Sequence, residues 1–314
     1  MLPSIIEFIV ALLALLLSAR FFTRSAEGLG RWLKLSPFVI GVFIVGIGTS
    51  LPELISAILS VRAGSSEIVP GNILGSSISN LLLITGIAAI IARPDMRLGS
   101  QYILIDLHYL IGAFAAFWLV AQDGVITWPE AFLGVFLFLV YSVYLIRQGG
   151  EELEKTARDR MEERQARPTK DLLILFLSAV GIYFGADHTV SSITDIATHL
   201  ALPPSLIALT VLSLGTTLPE LAVNISAIRQ GKAEMAVGNV LGSCIFNTLV
   251  IPFAAAVFST VVVPAQLLSF SLPVMLGAGL FFYLLTLDKR ISPWEGWLFA
   301  GLYVLFLLQL VRAA

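Results

Sequence analysis

A chain of 314 residues in which 57% of the side chains are hydrophobic and only 13% are charged is not built as soluble domains, which run to about a quarter charged. The formal net charge of −2 singles out no partner, so the placement of charge along the chain matters more than its sum. A single cysteine, Cys244, excludes both an intramolecular disulfide and a two-cysteine metal site.

Met1 to Phe8 carries Glu7 and no basic residue. It therefore lacks the positive start of a secretory signal, and the first apolar segment reads as a retained span. A helix crossing the hydrocarbon core needs about 20 mostly apolar residues. In chain order the sequence predicts spans near 4–23, 37–61, 70–92, 101–121, 125–146, 171–190, 203–228, 233–258, 263–286 and 293–311. The expected fold class is an all-α membrane protein with ten transmembrane helices.

The basic residues support that count. With ten spans both termini share one side, and the loops that follow odd-numbered spans share the other. That second side collects seventeen of the 19 Lys and Arg residues, leaving only Arg62 and Arg312. The positive-inside rule then places the odd-numbered loops in the cytoplasm and both termini outside the cell membrane. An extra or missing span would scramble this split. Residues 148–170 form the only long hydrophilic stretch and read as a solvated, partly helical cytoplasmic linker. They lack the alternating Asp/Asn loop with Gly of a calcium-binding hand. The linker separates a first five-span half, 1–147, from a second, 171–314.

The two halves repeat. Residue i falls on residue i+167 without a gap from about Ala19 to Asn80. Thr49, Leu51, Pro52, Glu53 and Leu54 meet Thr216, Leu218, Pro219, Glu220 and Leu221; Gly71, Asn72, Gly75, Ser76 and Asn80 meet Gly238, Asn239, Gly242, Ser243 and Asn247. Five spans per half is an odd number, so the second half enters the membrane from the opposite face. This is the inverted-topology repeat of secondary transporters, whose sites lie near the midplane where the halves meet.

The repeated residues carry chemistry. GIGTSLPELISA (46–57) and LGTTLPELAVNISA (214–227) each sit midway along an apolar span, making Glu53 and Glu220 intramembrane carboxylates. Such a residue marks an ion pathway by default, and with no Lys or Arg in the central parts of these spans a bound cation is its natural partner. Pro52 and Pro219 remove a backbone donor and break their helices, freeing carbonyls near Gly48–Thr49 and Gly215–Thr216. Irregular backbone at membrane depth is tolerated only where it lines a cavity. Gly71/Gly75 and Gly238/Gly242 predict flat faces for close helix approach. Ser76, Asn80, Ser243 and Asn247 add oxygens from neighbouring turns, as do the hydroxyls of Thr49, Ser50, Thr216 and Thr217. The donors are all oxygen, which suits Ca²⁺ or Na⁺.

These residues resemble the two alpha-repeats of the sodium/calcium exchanger family, within the calcium/cation antiporter superfamily. The G-T-S/T-L-P-E and G-N-x-x-G-S motifs occur twice and in order, and the resemblance covers essentially the whole chain. It implies that Glu53 and Glu220 bind calcium together with Thr49 and Thr216. It implies sodium binding in the same cavity at Gly46 (through its carbonyl), Ser50, Glu53, Ser76 and Asn80, and at Ser213, Thr217, Glu220, Ser243 and Asn247. Large calcium-sensing domains are absent, as in prokaryotic-type members. Potassium-dependent relatives and some microbial members place Asp where this chain has Asn247, and proton-coupled relatives usually carry a glycine-asparagine type motif around the glutamate.

The expected function is antiport of Na⁺ against Ca²⁺ by alternating access, with no enzymatic activity, no cofactor, no nucleic-acid partner and a monomer in the bilayer. The alternative on the same scaffold is antiport of protons against Ca²⁺ or another divalent cation. An intramembrane hydrolase would need a nucleophile or metal motif that is missing, and a passive channel would carry current without a counter-ion. Asp106 and His108 near the start of the fourth span, and Asp187, His188 and Asp195 near the outer end of the sixth, are read as hydrated interfacial side chains. Trp128, Trp294 and Trp297 fit an aromatic belt.

Overall fold

The computed structural model describes residues 2–92, 95–98, 102–156, 168–199 and 217–313. Helices dominate: α1 (Leu2–Trp32), α2 (Pro37–Arg62), α3 (Ile68–Ile91), α4 (Tyr102–Ala121), α5 (Trp128–Thr156), α6 (Pro168–His199), α7 (Leu218–Arg229), α8 (Ala233–Ala256), α9 (Leu267–Leu285) and α10 (Pro293–Ala313). Among the described residues eight of these are long and apolar enough to cross a membrane; α4 is a further apolar helix, and α7 is the second half of the seventh predicted span. The chain is an all-α integral membrane protein. α1 and α6 run well past their predicted ends, to Trp32 and His199. α5 continues to Thr156, so the start of the predicted linker is helical, and residues 157–167 lie outside the described part.

Burial sorts the helices into a centre and a shell. Within their membrane-length windows 89% of α8 and 78% of α3 is buried, against 22% of α1 and 17% of α5. The outer helices turn large apolar side chains such as Leu13, Leu17, Phe136 and Phe176 outward, where the surroundings are lipid rather than water. α1 and α6 pack along one another. Their contact is made by small residues: a Cβ at Gly185 would sit 2.9 Å from the Leu15 backbone, and one at Gly181 would collide with Ser18.

Two minimal sheets record the repeat. β1 (Met96–Arg97) pairs antiparallel with β4 (Arg290–Ile291), and β2 (Val125–Ile126) pairs antiparallel with β3 (Val261–Val262). Each sheet joins a loop of one half to a loop of the other, and the repeat exchanges the two sheets at a shift of 165 residues, two fewer than in the motifs. The side of each loop follows from these pairings. β1–β4 joins the loops after spans 3 and 9, and β2–β3 the loops after spans 4 and 8. Lys232 Nζ lies 2.7 Å from Glu27, linking the ends of spans 7 and 1. Ser66 Oγ accepts from Val262 N–H at 3.2 Å, linking the loops after spans 2 and 8. Odd loops meet odd loops and even meet even, as a ten-span chain requires.

Candidate cation site

The site begins with one broken helix, α2, and the start of another, α7. α2 opens as a regular turn capped by Ser36, whose Oγ accepts from Val39 N–H at 3.3 Å. It widens to a π-helix over Gly41–Gly46 and breaks at Ser50, with φ −87° and ψ 1°. Pro52 then starts the second segment, Leu51–Arg62, and leaves the Gly48 carbonyl without its helical donor. α7 starts the same way: Thr217 has φ −100° and ψ −3°, and Pro219 sits in the first turn. Glu53 and Glu220 occupy the first turns of the restarted segments, where helix N-termini offer backbone N–H groups to negative charge.

α8 holds these segments together. A Cβ at Gly238 would collide with the Phe38 carbonyl oxygen, and one at Gly242 would lie 2.7 Å from Val42 Cα. The predicted flat face of Gly238/Gly242 is therefore real, and it lets the α2 and α8 backbones touch. Gly71 and Gly75 do not repeat this. Among the described residues nothing approaches a Cβ at Gly75 within 4 Å, and only Leu267 Cδ1, at 3.7 Å, approaches one at Gly71. The residues that the repeat would place there, 205–209, lie outside the described part.

At the centre, Ser77 and Cys244, which are repeat mates, meet across the halves, with the thiol 3.8 Å from the Ser77 carbonyl. The pseudo-twofold axis passes between them. Around it the sequence-predicted oxygens converge. Ser243 Oγ donates to the Gly46 carbonyl at 3.2 Å, and Asn247 Nδ2 donates to Ser76 Oγ at 3.2 Å. Each bond joins one half to the other. The Thr49 hydroxyl lies 3.3 Å from both the Gly46 carbonyl and Asn239 Oδ1, and it also faces the Glu220 carboxyl. Asn80 Oδ1, Asn247 Oδ1 and Ser50 Oγ are buried without a hydrogen-bond partner among the described residues.

The carboxylates show the same deficit. Glu53 and Glu220 are 4% and 2% exposed, and close enough to repel one another. Glu53 Oε2 and both Glu220 oxygens have no hydrogen-bond partner among the described residues. Among the described residues no Lys or Arg is buried there to neutralise them. Buried acceptors are normally satisfied, so a cluster of unsatisfied oxygens around two acids is a place prepared for positive charge. A small cavity lined by Phe22, Gly48, Thr49, Pro52, Ile182 and Pro219 reaches these breaks from the α1–α6 side.

Of the predicted site residues, Gly46, Thr49, Ser50, Glu53, Ser76, Asn80, Thr217, Glu220, Ser243 and Asn247 sit on the four central segments. Thr216 and Ser213 lie outside the described residues. Two polar residues escaped the sequence reading as ligand candidates. Asn239 is buried beside Thr49, with its Nδ2 unpartnered among the described residues; its place in both motif copies was the available signal. Asn224 donates to the Glu220 carbonyl at 2.9 Å and leaves its own Oδ1 without such a partner. Its repeat mate is Ala57, so duplication could not have found it.

Asp106 corrects an expectation: it is fully buried rather than hydrated, because α4 is covered there by α5. Asp187, His188 and Asp195 are exposed as expected, with His188 Nδ1 2.8 Å from Glu7. Trp128, Trp294 and Trp297 are exposed near helix starts.

Comparison with known proteins decides the kinship. Residues 3–147 and 170–312 match the family described as "Sodium/calcium exchanger protein". The chain belongs to the sodium/calcium exchanger family. It is 30% identical to sodium/calcium exchanger MaX1 of Methanosarcina acetivorans over 97% of this chain and 98% of that one. It is 28% identical to inner membrane protein YrbG of Escherichia coli over 92% and 90% of the two chains. A structure of the sodium-calcium exchanger NCX_Mj, soaked with Na⁺ and Sr²⁺, superposes with a TM-score of 0.82 at 25% identity, covering 97% of both chains. Members of this family are transporters and not enzymes, and cation exchange involving Ca²⁺ is the activity that membership carries for this chain.

Proposed function

We propose that this exchanger moves Ca²⁺ in one direction and Na⁺ in the other, using one midplane site between Glu53 and Glu220. The observation that carries the proposal is the pair of buried carboxylates at the junction of the repeats, unpartnered and with no buried Lys or Arg beside them among the described residues. Two carboxylates balance one Ca²⁺. Emptied, the site leaves two like charges in low dielectric, so crossing unloaded is strongly disfavoured and exchange replaces leak. Thr49, Ser50, Asn80, Asn247 and the Gly46 carbonyl supply neutral oxygens, with Ser76, Ser243 and Thr217 beside them. We assign Thr216 and Ser213 to the same role by the repeat. Access alternates as the α1–α6 pair rearranges against the broken segments it covers.

Sodium coupling is supported by the name of the Methanosarcina relative and by the neutral Asn247, which adds no third acid that would call for another cation. Expelling Ca²⁺ against a ~10⁴-fold gradient costs ~5.5 kcal/mol, plus ~4.6 for two charges against ~100 mV. One Na⁺ entering down a ~10-fold gradient returns ~1.4 plus ~2.3 kcal/mol, so roughly three are needed. The basic loops set the orientation: odd-numbered loops in the cytoplasm, both termini outside the cell membrane, the exchanger working as a monomer without cofactor. Radiolabelled Ca²⁺ flux in proteoliposomes, with sodium, potassium and proton gradients imposed in turn, tests the coupling. Flux should follow the sodium gradient alone; flux driven by a pH gradient without sodium would replace this reading with proton antiport.

A further inference from the structure

The third buried acid of the described chain lies away from the cation site. Asp106 has no exposed surface, and neither of its oxygens has a hydrogen-bond partner among the described residues. It sits about one turn from the start of α4. The groups around it are tyrosines. Tyr141 and Tyr144 approach from α5, and their hydroxyls are buried and unpartnered in the same sense. The Tyr109 ring, one turn along α4, lies against both, with centroids 4.9 and 5.6 Å away. Asp106 is within electrostatic reach of Tyr141 and Tyr144.

Among the described residues no base answers this acid. None of the ion pairs of the described residues involves Asp106. Arg147, one turn beyond Tyr144, is exposed. α8 and α9 also pack against α4. The titratable groups they carry there are Glu234 and Cys244 on α8 and Tyr283 on α9, and none of them acts on Asp106. Tyr283 instead meets His108 at 3.2 Å. An unpaired carboxylate in such surroundings is costly, while a carboxylic acid is not: it donates one hydrogen bond and accepts another, and a phenol hydroxyl can rotate to do either. Two phenols can donate to a carboxylate, but the cluster then keeps a buried negative charge; with a carboxylic acid the hydroxyls can still be paired and the cluster is neutral.

We propose that Asp106, Tyr141 and Tyr144 form a second site whose ligand is a single proton, taken by the Asp106 carboxylate from the water at the β1 end of α4. The proton seals the α4–α5 hairpin. Its loss places a bare charge beside Tyr141, which reaches α8 through Phe138, 6.4 Å from Tyr141 and 5.6 Å from Phe246, the neighbour of Asn247.

Infrared difference spectra of wild type against Asp106→Asn test the site without reference to transport. At neutral pH the wild type should show a protonated-carboxyl C=O band that Asp106→Asn lacks, and that band should vanish on raising the pH. Relative to Asp106→Asn, wild type should lose thermal stability as the pH rises from the ordinary carboxylate range to the pH at which the band vanishes, and no further beyond it. Should Asp106→Asn fail to fold, Tyr141→Phe should shift the same band by removing the phenol that lies beside the Asp106 carboxyl. Absence of the band at neutral pH, or its appearance only when Na⁺ and K⁺ are withdrawn, would overturn the proposal; the latter outcome would mean a monovalent-cation site instead.

Discussion

Replacing Glu53 or Glu220 by glutamine keeps the shape of the side chain and removes the charge. Because both acids are buried and unpartnered among the described residues, the uncharged variants should fold at least as well as wild type while losing exchange. A thermal-unfolding midpoint no lower than that of wild type, measured beside flux at background level, is the expected pair of results. Asn247 makes a sharper case. Its Nδ2 donates to Ser76, and its Oδ1 is left for an ion. Asn247→Asp removes the donor and adds a third acid, so a site holding one Ca²⁺ would keep a net charge of −1. Ca²⁺ flux in that variant should become dependent on an added monovalent cation, K⁺ or H⁺, where wild-type flux is indifferent to K⁺. Flux of Asn247→Asp that is equally indifferent would show that Asn247 lies outside the ion's first layer of oxygens.

At the scale of elements, the contact between α2 and α8 is backbone on backbone, and only glycine permits it. Gly238→Leu drives a side chain into the Phe38 carbonyl and should cost about 1–3 kcal/mol or more through overpacking. Detergent-solubilised Gly238→Leu should melt well below wild type, and an unchanged midpoint would show that the helices can part without penalty. The elements also show what the sequence could and could not convey. The break in α2 and the start of α7 were legible because Pro52 and Pro219 act locally: each removes a donor whatever surrounds it. The carboxylates were legible because a repeat of fixed offset isolates them. The π-helical stretches at 41–46 and 79–84 were not, since no residue type in them forces a wider turn. Asn224 stayed hidden because its mate is Ala57. Asp106 was misread because its burial depends on α5 packing across α4, a tertiary contact that proximity to a helix end does not reveal.

For the whole molecule, the ten-span topology rests on two independent observations, the one-sided distribution of Lys and Arg and the pairing of like-parity loops. It predicts opposite labelling of two exposed loops. Cys244 is fully buried and should be silent toward a membrane-impermeant thiol reagent. Asp123→Cys, between α4 and α5, should label in intact cells, whereas Asp288→Cys, between α9 and α10, should label only after permeabilisation. Both positions are exposed, so reversed labelling would invert the orientation and leave the repeat intact.

The central claim, that one site of two acids exchanges calcium for sodium, meets its most direct test in sodium-loaded proteoliposomes. Radiolabelled Ca²⁺ uptake into vesicles diluted into sodium-free buffer should be rapid for wild type, collapse when the sodium gradient is dissipated, and fall to background in Glu53→Gln and Glu220→Gln. Uptake that persists without the gradient, or that survives either substitution, would contradict it.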